Sequence, residues 1–121
     1  MLVDTHAHLD DEKYDTDRDE VIKRATNSDV KYIVNIGTDT KSNDFCLKLA
    51  KKYDNIYSVL GIHPHNTENV NDNDLKILES SLKNEKVVAI GEIGLDYFKN
   101  FAPKEKQKYV YERAGFINSS E

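Results

Sequence analysis

The sequence predicts an α/β fold in which parallel strands alternate with helices. Short apolar or β-branched runs recur along the 121 residues, and a segment with helical periodicity follows each run. Parallel strands require crossover connections and are usually buried on both faces, so this alternation favours a parallel sheet covered by helices. We expect four such units, folded as a single domain that spans residues 1–121.

Four short apolar runs mark the strands. The predicted strands are 2–6, Val30–Ile36, Ile56–Leu60 and Val87–Ile90. Their spacing leaves room for one helix in each connection, as a parallel arrangement requires.

Apolar residues at helix-face spacing mark the segments between the strands. These faces are formed by Val21, Ile22 and Ala25 within 17–28, by Cys46, Leu49, Ala50 and Tyr53, and by Leu75, Leu78 and Leu82. Residues 66–74 are predicted to be a loop that provides the N-cap of the third helix. Pro103 opens a fourth helix, where its missing N–H costs little. Residues 115–121 match neither a continued helix nor a fifth strand.

Composition excludes few functions. With 22 acidic and 17 basic residues, the formal net charge of −5 disfavours nucleic-acid binding through a basic patch alone, although a metal ion can screen phosphate locally. Cys46 is the single cysteine and the N-terminus carries no signal-type segment, so we expect a cytoplasmic protein. No apolar stretch reaches the roughly 20 residues of a membrane span.

Metal-binding or acidic side chains follow three of the predicted strands, in 4–8 (DTHAH), 61–65 (GIHPH) and 91–96 (GEIGLD). All four histidines lie in two His-x-His pairs, and in an extended backbone residues i and i+2 point to the same side. The carboxyl ends of parallel strands share one rim, where α/β proteins place their sites. The sequence therefore predicts a metal site at this rim.

These motifs resemble the signatures of the TatD family of metal-dependent deoxyribonucleases, which are amidohydrolase-like TIM barrels. The similarity runs from residue 1 to about residue 114 and includes DTHAHLD, GIHPH and GEIGLDY in the family's order. The resemblance implies the parallel β/α units of a TIM barrel and cleavage of DNA phosphodiester bonds by a metal-activated water.

The resemblance also assigns roles to residues of the three motifs. His6, His8 and Glu92 would bind divalent metal, with Glu92 catalytic and able to bridge two ions. His63, His65 and Asp96 would bind substrate. Imidazole and carboxylate ligands suit Zn, Mn or Fe, while carboxylate and water suit Mg, so the identity of the ion stays open.

Structural roles are the alternative for several of these residues. Asp4 and His6 would then form hydrogen bonds at the end of a strand, and Asp96 would brace the loop after the fourth strand. Further expectations are that Asp10 and Asp11 lie in a solvated turn, that Cys46 is a core residue, and that Tyr97 and Phe98 pack the loop rather than stack on a base.

A complete barrel has eight strands and about 250 residues, so this chain has room for only the first four units, a half-barrel. In the family, two further His ligands and an Asp come from later strands, and no histidine follows His65. A half-barrel has unpaired edges, which predicts a homodimer or a complementing second half-barrel. The alternative function is a non-catalytic half-barrel that binds metal or assembles with a partner chain; a hydrolase for another substrate is a weaker third.

Overall fold

A four-stranded parallel sheet, ordered β1-β2-β3-β4, forms the centre of the molecule, and a helix follows each strand. The computed structural model describes residues 1–119. The elements are β1 (Leu2–Ala7), α1 (Arg18–Asn27), β2 (Val30–Ile36), α2 (Thr40–Lys52), β3 (Ile56–Leu60), α3 (Asp72–Ser81), β4 (Val87–Ile90) and α4 (Lys104–Ser119). The predicted α/β fold with four parallel β/α units is confirmed.

The strand predictions agree closely with the structure. The last three strands have the predicted bounds, and β1 extends one residue further, to Ala7. The loop before α3 contains the predicted N-cap, since the Asn71 side chain accepts from the Asp74 backbone N–H and the Asp74 carboxylate accepts from that of Asn71. This loop also contains a short 3₁₀ turn at Pro64–Asn66.

The prediction for the end of the chain was wrong for the residues that the structure describes. Helix α4 continues through 115–119, because Val110, Ala114 and Ile117 form a buried stripe at helical spacing. Gly115 interrupts the sequence pattern without interrupting the helix, whereas residues 120 and 121 lie outside the described part. Within residues 1–119, no helix combines the length and apolarity needed to cross a membrane.

The core lies between the sheet and its helices in two clusters. One contains Cys46 and Leu60 with side chains from α3 and α4, and the other joins Ile22 of α1 to Ile33 and Ile56 of the sheet. Cys46 is fully buried, which confirms its predicted place in the core. Burial of its thiol raises its pKa to about 12.

The outer strands and part of the sheet surface are left uncovered. In the described part of the chain, β1 pairs only with β2 and β4 only with β3. Exposed apolar side chains include Leu2 and Val3 of β1, Tyr32 of β2 and Val88 of β4. The sheet is therefore open at both edges, as expected for a half-barrel.

Candidate metal centre

Backbone contacts join the second and third motifs to the end of β2 at the carboxyl edge of the sheet. The Glu92 N–H donates to the carbonyl of Gly37 (3.1 Å), and the His63 N–H donates to the carbonyl of Thr38 (2.8 Å). The end of β2 therefore holds the segments that follow β3 and β4. The convergence expected from parallel strand ends places the predicted site residues on one rim.

Two strand ends approach so closely that one position must be glycine. A Cβ atom on Gly61 would lie 2.5 Å from the backbone carbonyl of Gly91. Asn43 of α2 brackets this point, because its Nδ2 donates to the Gly61 carbonyl (3.0 Å) and its Oδ1 accepts from the Gly61 N–H (3.2 Å). Sequence reasoning missed Asn43. The glycine that follows each of the last three strands was the available signal.

His6, His8 and Glu92 bring three metal-type donors together at this rim. One donor atom from each residue lies within 4.8 Å of the other two. His6 Nε2 is 3.8 Å from Glu92 Oε2, and the two histidine rings meet edge to face with centroids 5.0 Å apart. His6 is exposed, whereas His8 and Glu92 are partly buried.

The tautomer of His8 is fixed by the backbone. Its Nδ1 lies 3.0 Å from the carbonyl oxygen of Ile36, and since a carbonyl only accepts, Nδ1 carries the proton. The lone pair of a neutral ring is then on Nε2. Such a hydrogen bond at the second nitrogen is the usual support for a metal-binding histidine.

The donor set fits a catalytic type of metal site. Two imidazoles and one carboxylate match sites that keep three protein ligands and one open position. Ligands about 2.1 Å from one tetrahedral ion lie about 3.4 Å apart. The three donors, now within 4.8 Å, would need to close by less than about 1.5 Å. Exposure of His6 leaves room for this adjustment.

The neutral His63 ring directs an N–H group toward the carboxylate of Glu92. Its Nδ1 accepts from the His65 backbone N–H (3.2 Å), so in the neutral ring the proton is on Nε2, which lies 3.5 Å from Glu92 Oε1. Burial lowers the pKa of His63, against an opposing effect of Glu92. In this tautomer His63 presents an N–H to the rim and offers no lone pair there.

His65 and Asp96 form a close pair beside this position. His65 Nε2 is 2.6 Å from Asp96 Oδ2, and the hydrogen bond from His65 lowers the pKa of Asp96. The other carboxylate oxygen of Asp96 accepts from the Lys99 N–H (3.0 Å). Asp96 therefore braces its loop, as one alternative predicted, and also orients His65.

Structural contacts account for two other acidic residues near β1. Asp4 accepts from the backbone N–H of His6 (3.0 Å), as the structural alternative predicted. The predicted turn is present and Asp11 is exposed, but full solvation was wrong for Asp10, since its partly buried carboxylate accepts from Asn35 Nδ2 (3.1 Å) and Ser42 Oγ (2.7 Å). The sequence hides this network, because Asn35 lies in an apolar strand run and is fully buried.

The loop after β4 also departs from expectation. Phe98 is 95% exposed and Tyr97 is 42% exposed. The prediction that both pack the loop was therefore wrong for Phe98. The loop is fixed instead by the polar contacts of Asp96 and of Gln107, which is fully buried and was not anticipated.

Fold and rim together define a class: a β/α-barrel type of sheet with a histidine–carboxylate cluster at the carboxyl ends of its strands. The family model for "TatD related DNase" matches residues 3–117. The chain belongs to this family, so the resemblance predicted from the motifs is confirmed.

Curated relatives match nearly the whole chain. An uncharacterized metal-dependent hydrolase, YabD of Bacillus subtilis, is 44% identical over 111 residues, covering 92% of this chain and 44% of YabD. A protein of Cronobacter turicensis named 3'-5' ssDNA/RNA exonuclease TatD is 32% identical over 110 residues, covering 91% of this chain and 42% of its own length. The chain thus spans less than half the length of these relatives.

Solved structures show the same fold. The crystal structure of the TatD homolog YjjV from Escherichia coli has a TM-score of 0.84 and 32% identity, over 96% of this chain and 46% of YjjV. A TatD family hydrolase from Entamoeba histolytica has a TM-score of 0.88 and 27% identity, over 98% of this chain and 46% of that one. The described sheet therefore corresponds to about half of each solved chain, as predicted for a half-barrel.

Proposed function

We propose that this chain provides a metal centre for phosphodiester hydrolysis of DNA, with His6, His8 and Glu92 as the metal ligands. The observation that carries the proposal is the convergence of two imidazoles and one carboxylate within 4.8 Å at the rim. The fixed tautomer of His8 supports it, because Nε2 keeps a lone pair for an ion. The names of the relatives, which include a metal-dependent hydrolase and a nuclease, point to the same chemistry.

A divalent ion bound there would polarise a phosphoryl oxygen and acidify water, and with two ions both sides of an in-line displacement would be stabilised. Zn, Mn and Mg remain candidates, and the number of ions is open. Glu92 is the residue proposed for a direct catalytic role, since its carboxylate lies between His6 (3.8 Å) and His63 (3.5 Å).

His63, His65 and Asp96 are proposed to bind the substrate. The Nε2–H of His63 faces the rim and can donate to a phosphate oxygen. Asp96 holds His65 by a 2.6 Å contact and keeps its ring beside His63, with centroids 4.4 Å apart. In this arrangement Asp96 positions the His65 imidazole, and the two histidines line the position of the phosphate.

Assembly forms part of the proposal. We take residues 1–121 as one domain whose open edges, β1 and β4, pair with a second copy or with a complementing second half-barrel. A two-fold axis along the strands would set β4 parallel to the β1 of a second copy, as an eight-stranded barrel requires. A cytoplasmic location stays a prediction.

Hydrolysis of end-labelled single-stranded DNA in Mg, Mn and Zn tests the proposed function. We expect cleavage that requires a metal and is lost in Glu92→Ala but kept in Glu79→Ala, which removes an exposed carboxylate of α3. Equal activity of the two variants would contradict the role of Glu92. A folded chain that binds metal without cleaving DNA would instead favour the alternative function, a non-catalytic half-barrel.

A further inference from the structure

Aromatic side chains project from the loop that follows β4. Phe98 is 95% exposed, Phe101 is 63% exposed and Tyr97 is 42% exposed. Large apolar side chains grouped on a surface mark sites of contact with a ligand or partner. None of the roles proposed above uses these rings.

The loop that carries the rings is held in place from inside the molecule. The side chain of Gln107 is fully buried, and its Nε2 donates to the carbonyls of Ala102 (2.9 Å) and Asp96 (3.2 Å), while its Oε1 accepts from the Asp96 N–H (2.8 Å). Both ends of 96–102 are therefore anchored to α4. A surface that is ordered before binding loses less entropy when a ligand arrives.

One of these rings, Phe101, lies directly against the rim. The Phe101 ring meets the His65 ring edge to face at 4.7 Å, and His65 meets His63 in the same way at 4.4 Å. His63 in turn faces Glu92. A chain molecule whose phosphate lies at the rim would therefore pass over the aromatic loop within one or two of its repeating units.

Cations accompany the rings in a chain whose formal charge is −5. Lys104 Nζ lies 5.5 Å from the centre of the Tyr97 ring, and Lys99 Nζ lies 6.0 Å from the centre of the Phe101 ring. Aromatic rings with adjacent lysines are the combination that binds single-stranded nucleic acid, because bases stack on the rings and phosphates contact the cations.

We propose that Tyr97, Phe98 and Phe101 form a platform on which unpaired bases stack, with Lys99 and Lys104 at the phosphates. The choice of nucleic acid rests on the proposed function, although binding to the platform does not require hydrolysis. Bases in a duplex have no free face for such stacking, so the platform selects single strands. The relative from Cronobacter turicensis is named a 3'-5' ssDNA/RNA exonuclease, and the platform would be the surface of this chain that contacts unpaired bases.

Fluorescence anisotropy with a labelled oligothymidine in EDTA tests the platform without cleavage. The Phe98→Ala variant loses one stacked base and should bind the oligothymidine about tenfold or more weakly than the unaltered chain does. The Phe98→Trp variant keeps a ring for stacking and should bind about as tightly as the unaltered chain. Phe116→Ala is the matched control, since it removes another exposed phenylalanine, 66% exposed on α4, outside the loop. A duplex of the same sequence should bind weakly and respond little to Phe98→Ala.

Equal affinities of Phe98→Ala and Phe116→Ala for the single strand would overturn the proposal, as would absence of binding by the unaltered, folded chain. Loss of self-association in Phe98→Ala without a change in DNA binding would also overturn it and assign the rings to a protein contact. Hydrolysis is measured separately. Tight binding through Phe98 without cleavage would leave the platform standing and count against the proposed function.

Discussion

Substitution of Gly61 by alanine tests how the strand ends position the site. The added Cβ would lie 2.5 Å from the carbonyl carbon and oxygen of Gly91, which are backbone atoms and cannot rotate away. Relief requires β3 and β4 to separate near the 2.8 Å hydrogen bond from the Gly91 N–H to the carbonyl of Leu60. Glu92 follows directly, so the proposed metal centre would be disturbed as well.

The expected loss of stability can be built from two contributions. Overpacking in a close-packed region costs about 1–3 kcal/mol, and a broken buried hydrogen bond costs about 1 kcal/mol. Gly61→Ala should therefore lower the free energy of unfolding by about 2–4 kcal/mol. With a urea m-value of about 2 kcal/mol per molar, the unfolding midpoint should fall by about 1–2 M.

Urea unfolding followed by circular dichroism measures this change, and Gly115→Ala provides a control of opposite sign. A Cβ on Gly115 meets nothing, and alanine is preferred over glycine inside a helix, so this variant should gain about 0.5–1 kcal/mol. A Gly61→Ala variant as stable as the unaltered chain would refute the close approach of the two strand ends.

Three further predictions follow from burial, charge and the open edges. Cys46 is fully buried and has a pKa of about 12, so at pH 8 it should react with Ellman's reagent only when the protein opens. Urea should therefore accelerate the labelling. Rapid labelling of the folded chain without urea would contradict the burial of Cys46. Hydrogen bonds from Tyr53 and Lys52 lower the pKa of Asp19 in the folded state. The ionised Asp19 therefore stabilises the fold at pH values above its unfolded-state pKa of about 3.9, and this stabilisation is lost as the pH falls through its lower folded-state pKa. Urea unfolding from pH 5 to 2 should therefore show that Asp19→Asn loses less stability in acid than the unaltered chain does. Parallel plots of unfolding free energy against pH for the two proteins would exclude the effect. Sedimentation should show a dimer or larger species for the isolated chain, and a stable monomer would count against pairing of the open edges.

The fold could be predicted from the sequence because its signal is local. Apolar runs gave the bounds of the last three strands, and parallel pairing then required their carboxyl ends to share a rim. The side chains of all three motifs were expected at one rim for that reason, whereas the choice of His6, His8 and Glu92 as metal ligands came from the resemblance to the family. Helix α4 was underestimated because Gly115 lowers helix propensity locally, while the buried stripe of Val110, Ala114 and Ile117 stabilises the helix through tertiary contacts.

Features that depend on side-chain orientation could not be predicted. Asn43 lies in a polar helix segment, and its buried amide occupies the space that a side chain at Gly37 would fill. The proton on Nδ1 of His8 is determined by a carbonyl 28 residues away in sequence. Burial of Gln107 and exposure of Phe98 reverse the usual preferences of these residue types, and no local pattern signals either.

Calorimetric titration with Zn²⁺ tests the central claim most directly, because the claim is that His6, His8 and Glu92 share an ion. We predict that Glu92→Ala and His8→Ala each weaken Zn²⁺ binding by at least about tenfold. Glu79→Ala, which removes an exposed carboxylate from α3, should bind Zn²⁺ as the unaltered chain does. Equal affinity in all four proteins would contradict the account, since the ion would then be held by other residues.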